Sequence, residues 1–363
     1  MNARLPIYDR STAPQLPYPR GWYAIVDSAD LARSEVKPVK VFGREVVVFR
    51  TEDGEAHVVN AFCPHLGAHL GYGGRVVGDR LRCPFHGWEF EGRSGVCKKA
   101  AHGDPAPAKA GVKRWHVSEH SGIVFVWYHD EGAPPDHELP PQPDFDLEWG
   151  PWQTSSWECK ARIQDVGEND TDVSHSPIMH GLTDEMPELE METNGIVCDL
   201  TMQIRARRDS FGLPDVPWAL NLLRVPKTIP ATVKVRRSGF SMGLIRQFSE
   251  LPGGFKIRTQ SFMSTTPIDA QHVRIVARHR VGKLPSRRLT RLACKTYAKI
   301  FDTTIEEDFE VWEHKIYRMR PLASKSDWAV VRFRKWARQF YAEGVCEDAI
   351  RHEDEMRKAG TLL

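Results

Sequence analysis

Residues 63–86 constrain this chain more than any other stretch. Cys63-Pro64-His65 is followed by Cys83-Pro84-Phe85-His86, with 17 residues between His65 and Cys83, so the pattern is C-x-H-x17-C-x2-H. Each half offers one thiolate and one imidazole. Two of each fit a 2Fe-2S cluster in which one iron takes Cys63 and Cys83 and the other takes His65 and His86. Neutral imidazole donates less negative charge than thiolate, which raises the potential to a window of roughly −150 to +300 mV. Such a group passes one electron at a time. Zinc sites use the same residue types, but they usually pair two cysteines and then two histidines, whereas each half here mixes them. The prolines after both cysteines, and Gly67, Gly71, Gly73, Gly74 and Gly87, suit two tight loops that approach a cluster closely.

A chain of 363 residues exceeds one ordinary domain and predicts two. Its net charge of +2 argues against a nucleic-acid partner held by electrostatics. The apolar run 122–128 is strand length, and no segment approaches the ~18 apolar residues of a membrane span. Residues 1–20 are polar and Pro-rich and lack the apolar core of a signal peptide, so a cytoplasmic enzyme is expected. The seven cysteines are scattered rather than paired, which fits a reducing compartment. Cys97 reads as a small buried apolar side chain.

In chain order, 21–26 predicts a first strand and 39–50 a hairpin turning at Gly43-Arg44. Strands continue at 46–49 and 57–61 around Asp53-Gly54, then at 75–81, 88–90, 111–116 and 123–128. Short strands at this spacing predict a small antiparallel sandwich or barrel with the cluster at its tip. Residues 131–152 turn Pro-rich and acidic, which places a domain boundary near 150. The reading is an α+β chain: an arm at 1–20, an antiparallel β cluster domain at 21–150, and a catalytic domain at 151–363 with a large antiparallel sheet flanked by helices.

The second constellation follows a predicted strand at 157–163. His175 and His180 are five apart with Pro177 between them. Positions i and i+5 diverge on a regular helix, so Pro177 is expected to distort the turn and let both imidazoles converge. A facial triad at mononuclear Fe(II) needs one carboxylate more and leaves positions open for O2. A helical stretch at 288–319 carries Ile300, Phe301, Ile305, Phe309, Trp312 and Ile316 on a buried face. Asp308 lies close to that face and Glu306 and Glu307 less so, which makes Asp308 the third ligand. Residues 196–282 alternate as a large sheet, with strands at 232–235, 240–248, 255–264 and 272–281. Residues 211–230 read as a substrate lid or an ordinary connection. A terminal helix at 327–358 carries Arg332, Arg334, Lys335 and Arg338 as a solvated face.

With both constellations in place, the chain resembles the oxygenase component of Rieske non-haem iron oxygenases. Two motifs carry the resemblance: residues 63–86, and E-N-x-x-D-x-x-H-x4-H from Glu168 to His180. Flanking text is similar to the 3-ketosteroid 9α-hydroxylase and sterol C7-desaturase branch: Gly21-Trp22-Tyr23, residues 63–70, Asp308 with Trp312-Glu313-His314-Lys315, and residues 334–341. In that branch a carboxylate four residues before the tryptophan is an iron ligand, which also points to Asp308. Animal desaturases of the branch carry a membrane anchor, and the absence of such a segment here leads us to expect a soluble bacterial-type enzyme.

The resemblance implies a homotrimer that pairs the cluster of one subunit with the mononuclear iron of the next. Asp172 would bridge the two centres between a cluster histidine, His86, and His175, while Asn169 and Glu168 support the site. A carboxylate in that position fixes both rings. It also implies NADH electrons delivered by a separate flavin and iron-sulfur reductase, O2 as co-substrate, and hydroxylation of a C–H bond in a steroid or similar apolar polycyclic substrate. Desaturation of such a substrate is the second reading, and a Rieske electron carrier without oxygenase activity the third. Met179, Phe240, Met242 and Phe248 could be either core or pocket. His69, His116, His279 and His314 read as packing or surface residues.

Overall fold

The structure is a computed structural model that describes residues 16–139, 149–181, 186–207, 227–251 and 254–359. Most of the predicted arm and the core of the predicted lid, 208–226, lie outside the described residues. Two compact units form: Arg20–Pro143 with Thr266–Ala270, and Met1–Pro19 with Asp144–Thr265 and Gln271–Leu363. Among the described residues no helix is long and apolar enough to cross a membrane.

In the first unit, strands β1 (Gly21–Asp27), β2 (Val36–Val41), β3 (Arg44–Arg50), β4 (Ala56–Asn60), β5 (Arg75–Val77), β6 (Arg80–Arg82), β7 (Glu89–Glu91), β8 (Cys97–Lys99), β9 (Val117–His120) and β10 (Ile123–Tyr128) build three antiparallel sheets. Their orders are β1-β10-β9, β2-β3-β4 and β5-β6-β7-β8. Val46 to Phe49 and all of β10 are buried, as expected for short continuous apolar runs in a core. The β2–β3 turn falls at Phe42-Gly43, one residue before the predicted position, with φ of 52° and 67°. Two left-handed central residues match the twist of a tight hairpin. Phe42 is bulky for that conformation, and packing of its ring on Tyr23 at 4.9 Å and Tyr128 at 4.3 Å holds it there. The predicted strand at 111–116 contributes only isolated bridges at Gly111 and Arg114, and the strand proper is β9. Thr266–Ala270 belongs to this unit although it is distant in sequence. Phe42 and Gly43 donate their N–H groups to Pro267 and Ile268 at 2.9 and 2.8 Å, which satisfies backbone that a sharp turn would otherwise strand.

The second unit holds β11 (Gln153–Cys159), α1 (Ile163–Glu168), a 3-10 turn at Asn169–Thr171, α2 (His175–Met179), β12 (Glu188–Asn194), β13 (Val197–Arg207), β14 (Thr228–Ser238), β15 (Met242–Leu251), β16 (Phe255–Pro267, all but its last two residues), β17 (Val273–Val281), α3 (Arg287–His314), α4 (Trp328–Ala337) and α5 (Val345–Lys358). The strands form one sheet in the order β11-β17-β16-β15-β14-β13-β12. Several predicted boundaries move. The strand expected at 157–163 is β11, and Ile163 already opens α1. Residues 228–230, read as irregular, belong to β14. Phe240 sits in the β14–β15 turn rather than in a strand, buried against Phe333, Phe340 and Tyr341. Helix α3 stops at His314, because Lys315 turns extended and sends its ammonium to Asp165 at 2.9 Å. The single terminal helix is two helices, broken by a 3-10 turn at Arg338–Phe340 and by Gly344 at φ 81°.

Strand register decides which side chains share a face. Arg237 lies opposite Gly243, Gly243 opposite Met263, and Val235 opposite Ile245. Because side chains alternate along a strand, odd-numbered residues of β14 to β16 point to one face with Met202 of β13, which lies opposite Val233.

Candidate metal centres and the adjoining cavity

Two loops with the same wiring carry the first residue set. Cys63 donates its N–H to Ala68 O at 2.9 Å and accepts at its carbonyl from Gly67 N–H at 3.0 Å; Cys83 does the same with Trp88 O at 2.7 Å and Gly87 N–H at 3.2 Å. Gly67 and Gly87 have φ of 76° and 72°, the left-handed conformation that glycine adopts without penalty. These loops bring His65 and His86 to a ring separation of 4.8 Å and stack His65 on Trp88 at 4.6 Å and 10°. Cys63 and Cys83 are both buried. Burial pushes the Cys63 thiol up to about 11, although the N–H groups of His65 and Leu66 favour its thiolate. A metal withdraws that proton outright, so two buried sulfurs and two adjacent imidazoles suit a mixed-ligand cluster. Cys97 is a buried thiol directed at Lys99 O and takes no part.

The second set comes from two distant parts of the chain. Helix α2 is short, and His180 caps it with its N–H on Ser176 O at 3.2 Å, so the rings of His175 and His180 converge to 5.1 Å despite their five-residue spacing. Asp308, buried on α3, faces both: its Oδ1 is 3.4 Å from His180 Nε2 and 3.9 Å from His175 Nε2. The three donor atoms lie within 4.8 Å of one another. Asn169 donates to Asp308 Oδ2 at 3.0 Å, which leaves Oδ1 directed at the imidazoles. Two neutral imidazoles and one carboxylate on one side of a common point suit a facial iron triad. Asp172 Oδ2 is 3.9 Å from His175 Nδ1, a buried nitrogen without a hydrogen-bond partner among the described residues, and Asp172 Oδ1 accepts from Ser174.

Sequence reasoning passed over Glu307. Its Oε2 lies 2.7 Å from His180 Nδ1, so adjacent α3 carboxylates address opposite edges of one imidazole. Burial alone would lower the His180 pKa, but hydrogen bonds to Asp308 and Glu307 raise it above the ordinary histidine value. Arg334 also departs from its expected place. It is not on a solvated face but holds Glu168 in a two-pronged pair at 2.7 and 2.8 Å, anchoring α1 just before Asn169. Among the other histidines, His279 is fully buried against Ser261 Oγ, and His314 Nδ1 donates to Glu310 O.

A cavity of about 200 Å³ opens beside the triad. Its sheet wall is the odd-numbered face described above; its other wall comprises α1, α2 and the Phe301, Thr304, Ile305, Asp308, Trp312 stripe of α3, at the spacing of one helix face. None of the four residues considered from sequence lines it. Phe240 and Met242 are core, and Phe248 lines a groove on the opposite face of the sheet.

Residues 21–115 match the Rieske [2Fe-2S] domain and residues 126–341 match the 3-ketosteroid 9alpha-hydroxylase C-terminal domain. The chain therefore belongs to the Rieske non-haem iron oxygenases, oxidoreductases whose membership implies a Rieske cluster and a non-haem iron. It is 32% identical to a cholesterol 7-desaturase of Hemicentrotus pulcherrimus over 339 residues, 90% of this chain and 70% of that protein. It is 28% identical to the oxygenase component of a 3-ketosteroid-9-alpha-monooxygenase of Rhodococcus rhodochrous over 336 residues, 90% of this chain and 84% of that protein. The fold is shared with dicamba monooxygenase, at TM-score 0.67 and 20% identity over 88% of this chain and 96% of that one.

Proposed function

We propose that the chain is a terminal oxygenase that hydroxylates a C–H bond of a steroid or similar large apolar polycyclic substrate. The observation that carries this reading is the convergence of His175, His180 and Asp308 in the wall of a largely apolar cavity. In this reading Cys63, His65, Cys83 and His86 hold the cluster, the triad holds the iron, and Asp172 links the two centres. Residues 21–150 form the cluster domain, 151–363 the catalytic domain, and 1–20 an arm. The chain acts as a cytoplasmic homotrimer supplied with NADH electrons by a flavin and iron-sulfur reductase.

When bound, the cluster supplies single electrons and the mononuclear iron activates O2. The protein's own part is placement. Asn169 fixes the Asp308 carboxylate, and Glu307 fixes the His180 ring with Nε2 toward the triad. Val166, Val173, Val233, Val235, Ile245 and Met263 keep water from the reacting carbon and hold apolar substrate there. Desaturation is the second reading, favoured by the higher identity to the desaturase.

The test supplies the protein with a compatible reductase, NADH, isotopically labelled O2 and a panel of steroids and other polycyclic lipids, with products read by mass. Gain of one labelled oxygen is expected. Loss of two hydrogens without label selects desaturation, and no product with both metal sites filled and reduced removes the steroid assignment. Iron confined to the cluster would select the electron carrier instead.

A further inference from the structure

We propose that the Asp170–Arg237 ion pair is a polar anchor for the substrate, holding an uncharged oxygen substituent, a ketone or a hydroxyl, on an otherwise apolar skeleton. The inference rests on the substrate class proposed above and adds where and how that substrate is oriented.

Arg237 and Asp170 both line the cavity beside the triad. Arg237 is 5% exposed; its Nη1 donates to Asp170 Oδ2 at 2.5 Å and its Nη2 to Phe240 O at 2.8 Å. On the sheet wall the pair sits toward one side, with Ser241 and Thr265 beyond it. Along β14 the cavity face reads Arg237, Val235, Val233, so four residues, or ~14 Å of strand, separate Arg237 from Val233. Opposite Arg237 the β15 position is Gly243, where a Cβ would lie 3.6 Å from Asp170 Oδ2 and 3.8 Å from Arg237 Nη1. The pair therefore lies against bare backbone there rather than against a side chain. Ser241 and Thr265 also line the cavity, one step further along the same face.

A buried ion pair is a poor stability device, since apolar replacements of similar volume are often neutral or stabilising. Placed in the wall of an apolar cavity, the pair instead offers hydrogen-bonding capacity where substrate lies. Its two charges cancel, so a neutral oxygen is favoured over a carboxylate or an ammonium, either of which would add an uncompensated charge. Anchoring one end of a rigid skeleton fixes which carbon reaches the triad.

The test measures binding to the holoenzyme by equilibrium dialysis. It uses a steroid ketone, the same skeleton with methylene in place of the carbonyl, and the corresponding carboxylate. Wild type is expected to bind the ketone roughly 10- to 100-fold tighter than the methylene analogue, the range for a hydrogen bond to a charged group. In the double variant Asp170→Leu/Arg237→Met that ratio falls to near one while affinity for the methylene analogue is kept. Equal wild-type affinity for ketone and methylene, a preference for the carboxylate, or an unchanged ratio in the double variant overturns the anchor. A parallel loss of both affinities assigns the pair to holding the Phe240 turn and also overturns it. The wild-type comparison stands even if the variant does not fold. If no steroid of the panel binds, the substrate class fails and the anchor with it; binding without ketone preference removes the anchor alone.

Discussion

The two candidate metal sites are built by opposite strategies. The cluster site is local: four donors on two loops, each closed by two backbone hydrogen bonds and one left-handed glycine. The triad is assembled from afar, with two histidines from a short helix and Asp308 from another, and its geometry depends on buried charges that hold those helices in place. Loop wiring makes the first site tolerant of changes elsewhere in the chain. Dependence on packed helices exposes the second to substitutions that touch no metal.

Asp308→Ala separates the sites most sharply. Loss of the only carboxylate in the triad is expected to remove the mononuclear iron and all oxygenation while leaving the cluster's visible spectrum intact. Metal analysis beside the absorption spectrum checks this, and loss of the cluster signal would break the comparison. Arg334→Met probes the dependence on distant packing. Among the described residues it leaves buried Glu168 with only Lys315, 3.8 Å away, as an ion-pair partner, and breaking such a buried pair costs ~3–5 kcal/mol. Denaturant unfolding followed by circular dichroism is expected to show that loss, with the cluster spectrum unchanged in the absence of denaturant.

The same contrast explains what was legible in the sequence. Cys63, His65, Cys83 and His86 could be read because their spacing is itself the geometry, and the strands around them are short and regular. His175 and His180 were legible from a motif, and Asp308 from its place near a helical face. Glu307 was not, since an exposed-looking acid beside a ligand carries no periodic signal; only the position of His180 gives it a role. Arg334 failed for a related reason: on a helix read as continuous from 327 to 358 it fell among solvated cations, whereas α4 ends at Ala337 and its Arg334 pairs with Glu168, 166 residues earlier in the chain. The cavity wall was unreadable because it depends on strand register across β13 to β16, and register is fixed by pairing rather than by any one strand.

Glu307→Gln sharpens the comparison from within the triad. A neutral amide still reaches His180 Nδ1 but no longer polarises the ring, and loss of such a partner costs 10- to 100-fold in metal affinity as an order of magnitude. Titration of the mononuclear site with ferrous iron, in protein that retains its cluster, is expected to show a weakening in that range. Unchanged affinity would show that the triad, like the cluster loops, needs no outer support.

The smallest effect expected belongs to the first unit, where charge pairing lies nearer the surface. Arg50 grips Glu119 at 2.8 and 2.9 Å, and that hydrogen bonding holds the carboxyl below its ordinary value against the opposing effect of burial. Because the folded-state pKa is depressed, the contribution is fully present above the unfolded value of ~4.3 and is lost as pH falls through the folded value. Glu119 is about one-third exposed, so solvent screening limits the contribution to ~0.2–1 kcal/mol. Glu119→Gln should lower the urea midpoint for loss of cluster absorbance near neutral pH by a correspondingly small amount. In acid below the folded value the two proteins should converge, because wild type has then lost the same charge. Arg50 keeps its bonds to Leu31 O and Gly54 O in either case, so the cluster loops should stay wired. A large change in cluster stability would show that the first unit, too, depends on a distant ion pair.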